Sequence, residues 1–401
     1  MTDPLNVCLE KKAGFDLPDS PYSVGWTRPQ RVVLADKDNP LPLDCGAQLY
    51  PVTVEYETYG KLSPEKDNAI FILHALSGDA HAAGWDADWQ KDNRPWREKR
   101  PGWWDEMVGP SKAFDTNRYY LVCANILGSC YGTTGPWEKN PHTGKPYALD
   151  FPVITVDDWV RLQVRLQDYL GLNKLLAVAG GSLGGQQALA WTISYPDRVS
   201  SAIILAASAR LGAQGLAFNA VGRQAILCDP YFSNGDYYHS QPPDGGLELA
   251  RMLGHITYLS YNSMEGKFGR RFQNGTHPCY KLNNEFSVES YLEHQGRSFV
   301  RRFDANSYLY LTRAMDYFDA SLYGEGDLTL ACAPITAKML LISYSSDWLY
   351  PPSETRKIAE ALLANKKPVS YIEIESDYGH DAFLLETEQT RPLIESFLSK
   401  V

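Results

Sequence analysis

Short apolar runs separated by amphipathic stretches organise this chain. Ala69-Ile70-Phe71-Ile72-Leu73 is apolar without a break, and so are Tyr119–Ala124, Leu175–Ala179, Ser201–Ala206 and Met339–Ser343 in all but a residue or two. Tyr371–Ile374 completes the set. Runs this short and this continuous suit parallel strands covered on both faces. Val52–Tyr59 instead alternates, which predicts a strand with one wet face, and Arg31–Leu34 predicts another early strand. Helical periodicity lies between several runs, notably over Val156–Leu170 and Ser353–Ala364. Strands alternating with helices imply α/β architecture, a mostly parallel, doubly wound sheet. From Arg210 to Asp327 the rhythm breaks and only helical patterns recur, over Leu247–Leu259, Val288–Arg302 and Ala305–Phe318, with polar turns such as Ser233–Asp236. The reading is a core over residues 1–209 and 328–401, with a helical lid inserted at 210–327 over the carboxyl edge of the sheet.

Composition narrows the class. The 401 residues are 44 % hydrophobic, enough for a sizeable core. The net charge is -10 with both signs spread along the chain. No basic block exists to track phosphates, which argues against nucleic-acid binding. The 7 cysteines are scattered and without C-x-x-C spacing, so buried free thiols are expected rather than a disulfide framework or a zinc site. The first residues lack a basic and apolar leader, and no run of about eighteen apolar residues occurs. A cytoplasmic protein without a membrane span is the expectation.

Chemistry concentrates after three of the apolar runs. Gly180-Gly181-Ser182-Leu183-Gly184 fits G-x-S-x-G, between a buried strand and a helical stretch from Gly185 to Tyr195 that Pro196 stops. That is the context of a sharp strand-to-helix turn that lifts a serine hydroxyl out of a sheet. A serine needs a positioned base. Asp347 follows the run ending at Ser343, and His380 follows the run ending at Ile374. Ser, Asp, His is the chain order of the α/β-hydrolase fold. His380 would take the Ser182 proton, and Asp347 would orient the imidazole. The oxyanion donors expected are the backbone N–H of Leu183 and that of Leu76 or Ala75, in the turn after Leu73.

Other candidates are weaker. His74 and His81 lack metal-ligand spacing, so no metal is expected. Arg223 would suit a carboxylate if it faced a deep site, but spacing alone reads it more simply as a surface or salt-bridged arginine. Asp381 reads equally as an ammonium acceptor or a loop carboxylate. Trp85, Trp89, Trp96, Trp103 and Trp104 read first as packing, and stacking on an adenine ring is the sharper idea.

Several longer motifs then carry a resemblance. His74–His81, Pro101–Asp105, Lys112–Thr116, Asn125–Pro136, Gly180–Gln187, Lys267–Arg270, Arg302–Tyr308 and Gly379–Leu384 together resemble the homoserine O-acetyltransferases of the α/β-hydrolase superfamily. The resemblance runs from about residue 25 to the C-terminus, with Ser77 where many members carry Thr. It implies acetyl transfer from acetyl-CoA, as co-substrate with no permanently bound cofactor, to L-homoserine in methionine biosynthesis. It implies a ping-pong route through an acyl-serine, a helical lid and a homodimer. It implies Ser182, Asp347 and His380 as the triad, Arg223 for the amino-acid carboxylate and Asp381 near the amino group. Succinyl-CoA as donor, or serine as acceptor, fits the same scaffold. A wet site with the same triad would be an esterase, and a binding protein that had lost the chemistry would not keep all three residues.

Overall fold

The computed structural model describes residues 15–275, 277–280, 282 and 284–401. Its 8-stranded main sheet is built from β1 (Gln30–Ala35), β2 (Val52–Tyr59), β3 (Ala69–Leu73), β4 (Tyr120–Ala124), β5 (Ala177–Gly181), β6 (Ser201–Leu205), β7 (Lys338–Tyr344) and β8 (Val369–Ile374). In space the order is β1-β2-β4-β3-β5-β6-β7-β8. The β2 strand pairs antiparallel with β1 and β4, and every other pair is parallel. This is the mostly parallel, doubly wound α/β sheet expected from the apolar runs.

The continuous runs work because parity divides them. Phe71 and Leu73 of β3 join one core, with Val122, Val178 and Ile204. Ile70 and Ile72 join the other, with Leu121, Ala179 and Ile203. Successive side chains of a strand point to opposite faces, so a strand covered on both sides must be apolar throughout. The first core is covered by helices α1 (Val156–Tyr169) and α2 (Leu183–Ser194), which contribute Trp159 and Trp191. The α1 helix begins at a capping box, Thr155 accepting from the Asp158 N–H and Asp158 accepting from the Thr155 N–H.

Between β6 and β7 lie α3 (Ala213–Leu227), α4 (Asp244–Tyr258), α5 (Tyr261–Lys267), α6 (Ser287–Val300) and α7 (Ala305–Tyr317). The α4 helix packs on α3, α6 and the turn at Gly379–Asp381, so this segment bears directly on the carboxyl edge. Beyond β7, α8 (Pro352–Ala364) precedes β8 and α9 (Thr387–Leu398) ends the chain. Among the described residues no helix is long and apolar enough to cross a membrane.

Three expectations need correction. The strand before Ser182 does not end at Ala179 but runs through Gly181, because Gly180 and Gly181 still pair with Ile204 and Leu205 of β6, whereas Leu175 makes only an isolated bridge to Val199. The alternating strand β2 has no wet face at Glu55 and Glu57. Both are buried, Glu55 in a two-pronged pair with Arg94 and Glu57 against His81 and the Tyr59 hydroxyl. Of the described cysteines, all free, only Cys123 and Cys332 are buried, while Cys45, Cys228 and Cys279 are exposed; Cys8 lies outside the described residues. The helix α3 was also unpredicted. Its apolar residues lie all round it, with Leu216, Val221 and Leu227 exposed, so no one-sided stripe marks it.

The sheet positions chemistry through its order. The chain leaves β3 for β4 on one side and later returns to β5 on the other, so the carboxyl ends of β3 and β5 form a topological switch point. Closeness there depends on absent side chains. A Cβ at Gly184 would lie 2.0 Å from the Leu73 carbonyl oxygen, and one at Gly180 would lie 2.7 Å from it. Alanine is the better helix former by about 1 kcal/mol, but that gain is smaller than the cost of parting strand and helix. Gly184→Ala is therefore expected to lose at least about 2 kcal/mol of stability, read as a lowered urea midpoint with an unchanged slope. An unchanged midpoint would contradict the close approach.

Candidate active site

Ser182 joins β5 to α2 with φ 57° and ψ -124°, a conformation that side chains rarely adopt. The turn is held from both sides. The Ser182 N–H donates to the Leu205 carbonyl at 2.9 Å, and its own carbonyl accepts from Gly185 and Gln186 at 2.9 and 3.1 Å. The result is a hydroxyl raised at the N-terminus of α2, where backbone N–H groups lack partners within the helix.

His380 arrives from the short turn Gly379–Asp381 after β8, and Asp347 from the loop after β7. The Ser182 hydroxyl lies 2.8 Å from His380 Nε2, and His380 Nδ1 lies 2.8 Å from Asp347 Oδ2. The second oxygen of Asp347 accepts the N–H groups of Leu349 and Tyr350 at 3.0 and 2.9 Å. The carboxylate is thereby fixed, and it fixes the proton on Nδ1 and leaves Nε2 to accept from serine. Tyr350 stacks on the His380 ring with centroids 5.0 Å apart. Burial disfavours the imidazolium, but the charge and hydrogen bond of Asp347, with Asp381 adding to them, outweigh it and raise the His380 pKa above its ordinary value.

The turn after β3 closes on itself, the Gly78 N–H donating to the Ala75 carbonyl at 3.0 Å. His74 Nδ1 lies 2.8 Å from that same carbonyl, and His74 Nε2 accepts the Ile126 N–H at 3.2 Å. The imidazole is thus a neutral pin, and burial lowers its pKa. Both bonds to the Ala75 carbonyl polarise the peptide whose N–H belongs to Leu76. His81 is held by Glu57 and Thr27. Behind the turn, Arg97 binds Asp79 and Asp86 at 2.5 and 2.8 Å, all three buried. Burial favours a protonated Asp79, but Arg97 overrides it and holds the carboxyl well below the usual range.

A cavity of about 410 Å³ opens beside Ser182 and His380. Leu76, Trp103, Arg251 and Asp381 line it. Trp103 and Trp104 stack on one another at 5.2 Å, and Trp103 donates to the Asp79 carbonyl. Trp85 and Trp96 pack instead against Trp26 and Tyr131.

The structure brings Ser182, Asp347, His380, Asp381 and the Leu76 turn together, with Leu183 next to the serine at the head of α2. Arg223 does not line this cavity. Its guanidinium meets Asp316 at 2.5 Å and Thr312 at 3.2 Å, because its face of α3 packs on α7. Arg223 is a salt-bridged arginine, and Arg251 of α4 is among the arginines that line the cavity instead. Arg251 lies over Phe299 at 4.6 Å and feels Asp381. A signal was present in the sequence: Leu247, Arg251, His255 and Tyr258 share one face of a helical pattern, an unusual place for a cation.

Comparison with known proteins agrees with this architecture. The profile of the α/β hydrolase fold family matches residues 68–387. A homoserine O-acetyltransferase of Methanosphaerula palustris is 52 % identical over 94 % of this chain and 74 % of its own length. A homoserine O-succinyltransferase of Acidithiobacillus ferrooxidans is 50 % identical over 94 % of this chain and 96 % of its own. Among solved structures, a homoserine O-acetyltransferase from Bacillus anthracis superposes with a TM-score of 0.84 at 30 % identity, covering 93 % of this chain and 97 % of that one. The esterase E22 superposes with a TM-score of 0.82 at 31 % identity, over 93 % of this chain and 100 % of that one.

A base that accepts the serine proton must be neutral. Activity on p-nitrophenyl acetate is therefore expected to rise with pH through an apparent pKa above 6.5. Asp381→Asn removes a negative neighbour of the imidazolium, so the acid limb of kcat/KM is expected to move to lower pH. Movement to higher pH would contradict the electrostatic account.

Proposed function

We propose, from the premise that this chain belongs to the α/β-hydrolase-fold family and within it to the homoserine O-acetyl/succinyltransferases, that it transfers an acetyl group from acetyl-CoA to the hydroxyl of L-homoserine. The observation that carries the reading is one cavity shared by Ser182, His380, Arg251 and Asp381. It offers a nucleophile, a base, a carboxylate partner and an ammonium partner within one enclosure.

Ser182 Oγ attacks the thioester carbonyl as His380 Nε2 takes its proton. The N–H groups of Leu183 and Leu76 hold the tetrahedral oxyanion, each such donor being worth about 3 kcal/mol. His380 returns the proton to the departing CoA thiolate, leaving acetyl on Ser182. Homoserine then enters with its carboxylate on Arg251 and its ammonium by Asp381. His380 removes the hydroxyl proton as the oxygen attacks the acyl carbonyl; the bond from that carbon to Ser182 Oγ then breaks, His380 returns the proton to Oγ, and O-acetylhomoserine leaves. Water must not win this second step, and the helices α3–α7 act as a lid over the cavity. The product is an intermediate toward methionine, made in the cytoplasm.

Succinyl-CoA is the second reading for the donor. It is favoured by the Acidithiobacillus relative and by the pair of arginines, Arg251 and Arg302, that line the cavity. Serine differs from homoserine by one methylene, worth only about 1–3 kcal/mol in a pocket.

CoA release measured with both donors crossed with both amino acids tests the reading. Fast turnover with acetyl-CoA plus homoserine alone is expected, and release independent of any amino acid would make the protein a hydrolase. Ser182→Ala is expected to abolish trapping of labelled acetyl on the protein; trapping at the wild-type level would overturn the role of Ser182. The exposed apolar residues Val221, Leu249 and Ile256 on α3 and α4 support a homodimer through these helices. Sedimentation is expected to give a dimer that Leu249→Glu converts to monomer, and a monomeric wild type would refute it.

A further inference from the structure

Arg302 lies in the short link between α6 and α7, far in sequence from the turn after β3. Its Nη1 nevertheless donates to the Ser77 carbonyl at 3.0 Å and to the Tyr131 hydroxyl at 2.7 Å. The guanidinium is steadied over the Phe299 ring at 5.2 Å, and Tyr131 is steadied by Trp96 and Phe303. The turn Ala75–Gly78 is otherwise tied at its first residue, where the Ala75 carbonyl takes His74 Nδ1 and the Gly78 N–H. Its far side meets the rest of the protein through Ser77, whose carbonyl is held by Arg302 and whose hydroxyl is 3.5 Å from Arg251. Leu76 stands between these two anchors.

We infer that Arg302 is a positioning residue that holds the Leu76 N–H at the oxyanion by clamping the Ser77 carbonyl. The inference rests on the reading of Leu76 as an oxyanion donor. Its consequence is that the hole is complete only when the helical segment is docked. A donor displaced by a fraction of an ångström loses most of its value toward a tetrahedral oxyanion and little toward a planar carbonyl. The cost of loosening the clamp therefore falls on the chemical step and not on ground-state binding. Arg251 approaches the hydroxyl of the same serine from a different helix, at 3.5 Å.

The test compares Arg302→Met, Arg302→Lys and Tyr131→Phe with the wild type. The readouts are steady-state acyl transfer, hydrolysis of p-nitrophenyl acetate, and binding of a trifluoromethyl ketone that forms a tetrahedral adduct with serine. Arg302→Met is expected to lower kcat about 10- to 100-fold in both reactions, with each KM within about 3-fold. Affinity for the ketone is expected to fall in step with kcat/KM. Arg302→Lys, which keeps one charged donor for the carbonyl, is expected to recover most of the loss. Tyr131→Phe, which leaves the arginine and the packing in place, is expected to lose about 2- to 5-fold, and it carries the test if the methionine variant fails to fold. A raised KM for acetyl-CoA with unchanged kcat would overturn the inference, because Arg302 would then hold the donor itself. Unchanged ketone affinity in Arg302→Met would overturn it as well. A wild type that hydrolyses the ester but acylates no amino acid would refute the acetyltransferase reading and leave this test intact.

Discussion

The close approach of two backbones, the end of β3 and the head of α2, is the constraint on which the site depends. The Leu73 carbonyl sits where side chains at Gly180 and Gly184 would otherwise be. This is a matter of room rather than of conformational freedom, since neither glycine adopts a positive φ. Within Gly180–Gly184 the residue with a positive φ is Ser182 itself. Its strain is held by hydrogen bonds to β6 and to the first turn of α2. Were the two backbones to part, the serine would relax and the Leu76 turn would move away from it.

Around this point, charges are arranged so that each is opposed. His380 is buried, and burial alone would drive it to a pKa too low to hold a proton at the right moment. Asp347 reverses that, and is itself held in place by two backbone N–H groups. The loop after β3 rests on buried ion pairs, Asp79 and Asp86 with Arg97 and Glu55 with Arg94. Such pairs roughly balance their own desolvation, so their value lies less in net stability than in geometry. Removing one partner would leave an uncompensated charge beneath the Leu76 turn. The helical segment adds the last anchors from above through Arg302 and Arg251, so the turn is gripped between core and lid.

Much of this was legible in the residues. The apolar runs gave the strands, and the serine motif between strand and helix gave the nucleophile, because a buried parallel strand and a crowded turn permit few residue types. The misreadings have separate causes. Glu55 and Glu57 looked solvated because their partners Arg94 and His81 lie far along the chain. The helix α3 was missed because its outer face carries apolar residues, as an inner face would. Arg223 and Arg251 are both arginines on helices of the same insertion. Which of them reaches the cavity depends on how α3 and α4 pack, and Asp316 of α7 takes the first.

The sequence by itself determined the alternation of strand and helix, the strained serine turn, and the order of serine, aspartate and histidine. Each of these is written in local patterns, where polarity, period and side-chain size act over a few neighbouring residues. The tertiary structure alone decided which arginines line the cavity, which carboxylates are buried, and that Arg302 holds the turn beside the nucleophile. Those outcomes depend on distances between residues far apart in the chain, and local patterning exerts no force over such separations until the sheet has set its strand order.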